Sequence, residues 1–131
     1  MPYKLNIPES SVFGKGKYQN GKGHTECVEF IRQATNAPQS AYWKPGTRVQ
    51  GAKPGQILRG TAIATFDASG KYPTDGLGRH AAIYLYQTGD GITVLDQWNK
   101  QGEVKKRSIG FTRPTGTSRS NDGSTFYVIE N

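Results

Sequence analysis

Helical periodicity is sustained over only one stretch of this 131-residue chain, and that limits what the chain can build. Cys27, Phe30, Ile31 and Ala34 recur at helical spacing with Val28 alongside, predicting a helix over residues 25–36. Thr25 offers a hydroxyl as N-cap. Asn36 and Pro38 close the helix, because proline disfavours α geometry in the residue before it. The apolar runs that follow are short and bounded by turn residues. Residues 60–66 (GTAIATF) read as a buried strand. Residues 80–87 (HAAIYLYQ) read as the best strand in the chain, with residues 92–98 (ITVLDQW) as its hairpin partner across Thr88-Gly89-Asp90-Gly91. Weaker strands are expected near Val104–Ile109 and Thr125–Ile129. One helix followed by antiparallel strands is an α+β arrangement.

The rest of the chain is connection. Residues 1–23 form an irregular arm with a short helical turn near Glu9–Val12. Pro45-Gly46 and Pro54-Gly55 mark turns in residues 37–59, a segment expected to fold Trp43 and Val49 back onto the core. Residues 67–79 and 112–124 are polar loops. No repeat or linker divides residues 1–131, so they read as a single domain. Hydrophobic residues make up 34% against 17 glycines, which fits a small loop-rich fold better than a helical bundle.

Composition also narrows the function classes. No run approaches the roughly 18 apolar residues of a membrane span, so no membrane insertion is expected. No apolar run follows Met1-Pro2-Tyr3-Lys4-Leu5-Asn6, and the chain is read as made in the cytoplasm without a Sec signal. The net charge of +7 attracts polyanions such as nucleic acid, anionic lipid or cell-wall polymer. With seven Tyr and two Trp, a basic polymer-binding module is one reading, but the basic residues are scattered and no run is long. A single cysteine excludes an internal disulfide framework and a Cys-based zinc site. With two histidines and no metal-binding motif, no cofactor or metal is expected.

That one cysteine sits where the helix begins, at the positive end of its dipole and beside unpaired N–H groups that favour thiolate. A buried, inert thiol is the ordinary alternative, since position 27 lies on the apolar stripe. His80 opens the best strand, and Asp96 interrupts the apolar run of the next one, where an acid is costly without a partner. A thiol nucleophile, an imidazole base and a polar group on the second ring nitrogen are the parts of a cysteine hydrolase. The backbone N–H of Cys27 can serve an oxyanion. His24 is a rival base, but it falls outside the helix. Register leaves the third group open. A three-residue hairpin loop puts Asp96 on His80's face but too far along, so that a bulge must close the gap. A two-residue loop sets His80 against Asn99, with Gln97 on its side.

The Thr25-Glu26-Cys27-Val28-Glu29-Phe30 helix start resembles the nucleophile helix of the NlpC and CHAP peptidoglycan amidases, a compact branch of the papain-like superfamily. Gly60–Phe66 stands where they carry a first core strand, and Gly78-Arg79-His80-Ala81-Ala82-Ile83-Tyr84 is similar to their Gly-His-hydrophobic-Ala-Ile-Tyr strand. Asp90–Trp98 is similar to the CHAP strand whose acid, close before an aromatic, orients the histidine. The resemblance thus implies Cys27, His80 and Asp96 as the catalytic set. Two departures stand out: Arg79 separates Gly78 from His80, and Glu26 precedes the cysteine where CHAP members often have Gln. The side-chain oxyanion donor is therefore unassigned, with Tyr18 and Gln19 as upstream candidates. The resemblance implies amide hydrolysis in peptidoglycan stem peptides or at the sugar–peptide link. A small member of this kind looks most like a type VI secretion amidase effector, a toxin injected into a rival's periplasm and blocked by a cognate immunity protein. Another acyl-transfer reaction on a protein substrate, such as deamidation, would use the same thiol chemistry.

Overall fold

The computed structural model describes residues 2–131. Its one α-helix, α1, runs over Cys27–Ala34, and six strands follow: β1 Lys44–Arg48, β2 Ala62–Thr65, β3 Ala81–Gln87, β4 Gly91–Asp96, β5 Lys105–Gly110 and β6 Phe126–Glu130. They form a single antiparallel sheet in the order β1-β6-β2-β3-β4-β5. Every residue of β2 and the first five of β3 are buried, because both faces of the sheet centre are covered. On one face Phe30, Ile31 and Ala34 of α1 pack with Ala62, Ala64, Ala81, Ile83 and Leu85. On the other, Ile63, Ala82, Val94, Ile109 and Phe126 form a second apolar layer closed by Val49 and Phe111.

The helix is shorter at both ends than its periodicity suggests. Thr25 does not cap it. Glu26 is the N-cap residue and makes no side-chain cap bond. Thr25 is buried instead, with its hydroxyl donating to the carbonyl of Trp98 at 3.3 Å. At the other end Thr35 turns extended, its hydroxyl donates to Ile31 O at 2.6 Å, and it accepts from Ala37 N–H at 3.0 Å. This side-chain substitute for the next helical turn ends α1 before Asn36.

Strand β1 replaces the turn expected at Pro45-Gly46. Pro45 is tolerated because β1 is an edge strand, paired only with β6. Gly46 is required by close approach: a Cβ there would lie 2.7 Å from Glu130 Cγ. The remaining strands lie close to the reading above but with shifted ends, β4 starting at Gly91 and stopping at Asp96 instead of Trp98, and the 3-10 turn at Glu9–Ser11 and the burial of Trp43 and Val49 agree with it.

Candidate active site

Three elements bring their ends to one cleft of about 660 Å³: the N-terminus of α1, the start of β3 and the end of β4. Cys27 is the first helical residue and is partly exposed in that cleft. Its placement follows from the stripe behind it, since Phe30, Ile31 and Ala34 bury the helix face and leave the first turn at the rim. Above it the chain is held by Gln97, whose Nε2 donates to Tyr18 O and to Glu26 O, each at 2.9 Å.

His80 immediately precedes β3. Its N–H donates to Thr65 Oγ1 at 3.0 Å and its carbonyl accepts from Thr65 N–H at 3.0 Å, so the backbone is pinned to β2. The ring is buried, edge-on to Trp98 and Phe126 at centroid distances of 6.2 and 6.5 Å. Nε2 lies 2.7 Å from Asp96 Oδ2. The ring and the Cys27 thiol line the same cleft, and with Nε2 taken by Asp96 the ring nitrogen left free is Nδ1.

The β3–β4 register explains why Asp96 reaches the ring. Beside the turn, Gln87 pairs with Ile92 and Tyr86 with Thr93, as a two-residue loop demands. The register then shifts between Tyr84 and Tyr86, so that Tyr84 pairs with Val94 and Ile83 with Leu95. This irregularity at Leu85 turns Asp96 to His80's side and draws it closer. Gln97 is thereby turned away to its task beside the helix. Asn99 lines the cleft, but its carbonyl accepts from Thr25 at 3.5 Å, and among the described residues the ring bond of His80 goes to Asp96. His24 is exposed in a turn fastened by Asn20 Oδ1 at 3.0 Å and is not part of the cleft wall. Tyr18 packs on Phe30 at 5.2 Å within the core, and neither it nor Gln19 lines the cleft.

Electrostatics favour a charged pair. Burial pushes the Cys27 thiol up, but the hydrogen bond and charge of His80 overcome it and bring the thiol below its ordinary value. Tyr72 and the backbone N–H of Ala81 act in the same direction. For His80, burial opposes the charged form, yet the bonds to Asp96 and Cys27 raise its pKa to about 9. A thiolate with an imidazolium near it is an arrangement that can attack a carbonyl and then protonate a leaving group.

Two further residues belong here that sequence reasoning passed over. Arg107 lies on β5 opposite Val94 and donates from Nε to Asp96 Oδ2 at 2.8 Å. It is itself held by Asn121 Oδ1 at 2.9 Å and stacks over Trp98 with its guanidinium carbon 5.2 Å from the ring centroid. In the sequence it is one of 17 scattered basic residues, and only the β4–β5 register singles it out. Tyr72 comes from the loop before β3 and places its hydroxyl 3.6 Å from Cys27 Sγ. No periodicity marks a loop tyrosine.

Among the described residues no group of three His, Cys, Asp or Glu could hold a metal ion. Among the same residues no helix is long and apolar enough to cross a membrane.

Residues 5–129 match the model of a family described as domesticated amidase effector 2. The chain is 38% identical over 117 residues to the type VI secretion amidase effector 2 protein of Salmonella typhi, covering 82% of this chain and 86% of that protein. It is 37% identical over 120 residues to domesticated amidase effector 2 of Ixodes scapularis, covering 88% of this chain and 78% of that one. A solved structure of type 6 secretion amidase effector 2 superposes with a TM-score of 0.80 at 33% identity, covering 96% of this chain and 93% of the other.

Proposed function

This chain belongs to the domesticated amidase effector 2 family, with a papain-like α+β fold, and from that membership and the cleft geometry we propose that it is a cysteine amidase cutting an amide bond in bacterial peptidoglycan. Cys27 is the nucleophile, His80 the general base and acid, and Asp96 the group that orients His80. The observation that carries this reading is that Cys27 and His80 line one cleft, with His80 Nε2 2.7 Å from the buried Asp96 carboxylate behind it. Residues 1–131 act as one hydrolase domain.

The arrangement performs amide cleavage in two stages. In the resting pair the proton sits on His80 and the charge on sulfur. The Cys27 thiolate attacks the amide carbon, an S–C bond forms, and the carbonyl π electrons move onto oxygen. The N–H of Cys27, at the start of α1 and without an intrahelical acceptor, faces that oxyanion. As the tetrahedral adduct collapses, His80 delivers its Nδ1 proton to the leaving nitrogen and the C–N bond breaks. Water then attacks the thioester while His80 takes its proton, and the carboxylic acid product leaves with thiolate restored. Asp96 holds the ring orientation and stabilises the imidazolium throughout.

The family's type VI secretion members favour delivery into the periplasm of a target bacterium, where the substrate is a wall stem peptide. A cognate immunity protein fits such a toxin and would close the cleft. The +7 surface suits an anionic wall.

Purified sacculi incubated with the protein under reducing conditions provide the test, with products separated by mass. Wild type is expected to release fragments bearing a new amine and a new carboxylate, and Cys27→Ala to release none. Equal digestion by both, or none by wild type, overturns the assignment. Cleavage or deamidation of a protein substrate by wild type, with sacculi intact, would transfer the same residues to a different substrate class.

A further inference from the structure

The upstream donors that the family resemblance suggests, Tyr18 and Gln19, are absent from the cleft wall. A different hydroxyl occupies the position facing the sulfur. We propose that Tyr72 is a catalytic residue of this amidase, its phenol O–H donating to the Cys27 sulfur at rest and to the substrate's carbonyl oxygen as it becomes an oxyanion. The inference rests on the amidase reading above and adds to it the missing side-chain half of the oxyanion site.

Geometry is the first support. Tyr72 Oη lies 3.6 Å from Cys27 Sγ, and its ring forms part of the same cleft wall as Cys27 and His80. When sulfur bonds to a carbonyl carbon, that carbon's oxygen sits on an adjacent vertex of the tetrahedron. A donor already in contact with the sulfur then needs only a short reach to that oxygen.

Rigidity is the second. Tyr72 sits in a polar loop, yet the loop is fastened at this point. Asp67 Oδ1 accepts from Ser69 N–H at 2.9 Å and from Lys71 N–H at 3.0 Å, and Asp67 N–H donates to Lys71 O at 2.9 Å. The chain is thus fixed immediately before Tyr72, and Pro73 after it is buried. The phenol ring stands edge-on to Trp43 at 5.0 Å, and Trp43 is itself buried with its indole N–H donating to Pro38 O at 2.9 Å. A donor fixed before charge develops costs no reorganisation at the moment of reaction, which is what an oxyanion site requires.

Chemistry is the third. Burial, and then the charge of the neighbouring sulfur, push the Tyr72 phenol well above its ordinary value, so it keeps its proton through the working range. It donates a hydrogen bond without transferring the proton. The proton that moves in each half-reaction is His80's, so the balance given above is unchanged. The same donation helps hold the thiol below its ordinary value.

Tyr72→Phe keeps the ring and its packing on Trp43 and removes only the hydroxyl. Two measurements separate its roles. The first is the pH dependence of Cys27 alkylation by iodoacetamide, a reaction that forms no oxyanion. The second is steady-state hydrolysis of purified muropeptides at the pH plateau, where thiolate formation is complete in both proteins. The alkylation midpoint is expected to move to higher pH. At the plateau kcat is expected to fall about 100- to 1,000-fold, the usual loss for one oxyanion donor, with KM changed less than threefold. A kcat within threefold of wild type at the plateau overturns the inference while leaving the amidase reading intact. Absence of hydrolysis by wild type overturns the amidase reading itself, whereas the alkylation shift still reports whether Tyr72 acts on the sulfur.

Discussion

Replacing Asp96 by Asn tests how the charged pair is sustained. The substitution keeps the shape of the side chain and removes its charge from a site with no solvent exposure. In the native cleft the His80 pKa stands at about 9 against an ordinary 6.5, although burial opposes the charged form, and Asp96 is the largest of the favourable causes. Without it the sign is fixed: the imidazolium loses its partner, the pKa falls, and the thiolate–imidazolium pair reverts toward neutral thiol and imidazole. Each unit lost is tenfold in that equilibrium, about 1.4 kcal/mol. Loss of the whole elevation would therefore reduce the charged pair by up to about 300-fold. Arg107 sharpens the effect, since its guanidinium, 2.8 Å from the same Oδ2, would then face the imidazolium with no carboxylate between them. The assay is kcat/KM on muropeptides across pH 5–10. Wild type is expected to hold its activity until His80 loses its proton near pH 9, and Asp96→Asn to lose its alkaline limb by pH 7 with a 10- to 300-fold lower maximum. An alkaline limb still near pH 9, with activity within threefold, would show that Asp96 does not set the state of His80.

Other expectations follow from single contacts. Cys27 should label with iodoacetamide much faster than a free thiol at pH 6, and His80→Ala should bring its rate down to that of an ordinary, unactivated thiol. Gln97→Leu strips the buried Tyr18 carbonyl of its side-chain donor and leaves the Glu26 carbonyl with only Glu29 N–H, so denaturant unfolding should show a loss of about 1–3 kcal/mol, with activity reduced because the backbone before Cys27 is loosened. Gly91→Ala should cost about 1–3 kcal/mol in the same measurement, because its Cβ would stand 2.5 Å from Ile109 O. Gly89→Ala, which meets nothing within 4 Å, should be near neutral and serves as its control.

What could be read in the sequence, and what could not, divides along a physical line. The helix, the central strands and the Cys27 and His80 positions are set by local pattern: a 3.6-residue stripe ending in one thiol, and two apolar runs across a Gly-rich turn. Strand β1 escaped because Pro45 and Gly46 are turn residues unless an edge position and the nearness of Glu130 make them fit. Asp96, Gln97 and Asn99 could not be ranked by alternation, since a register shift at one residue exchanges the two faces of a strand. The irregularity at Leu85 decides that choice, and nothing in the apolar run 81–87 announces it. The same shift gives the neighbouring residues complementary work. Asp96 turns to the imidazole, and Gln97 turns to the peptide carbonyls that precede the nucleophile. One strand end therefore positions both halves of the reacting pair, so moving the shift by one residue would disturb His80 and Cys27 together. Arg107 and Tyr72 were hidden for a related reason, because each acquires its role only when elements distant in sequence converge on the same few ångströms around Cys27 and His80.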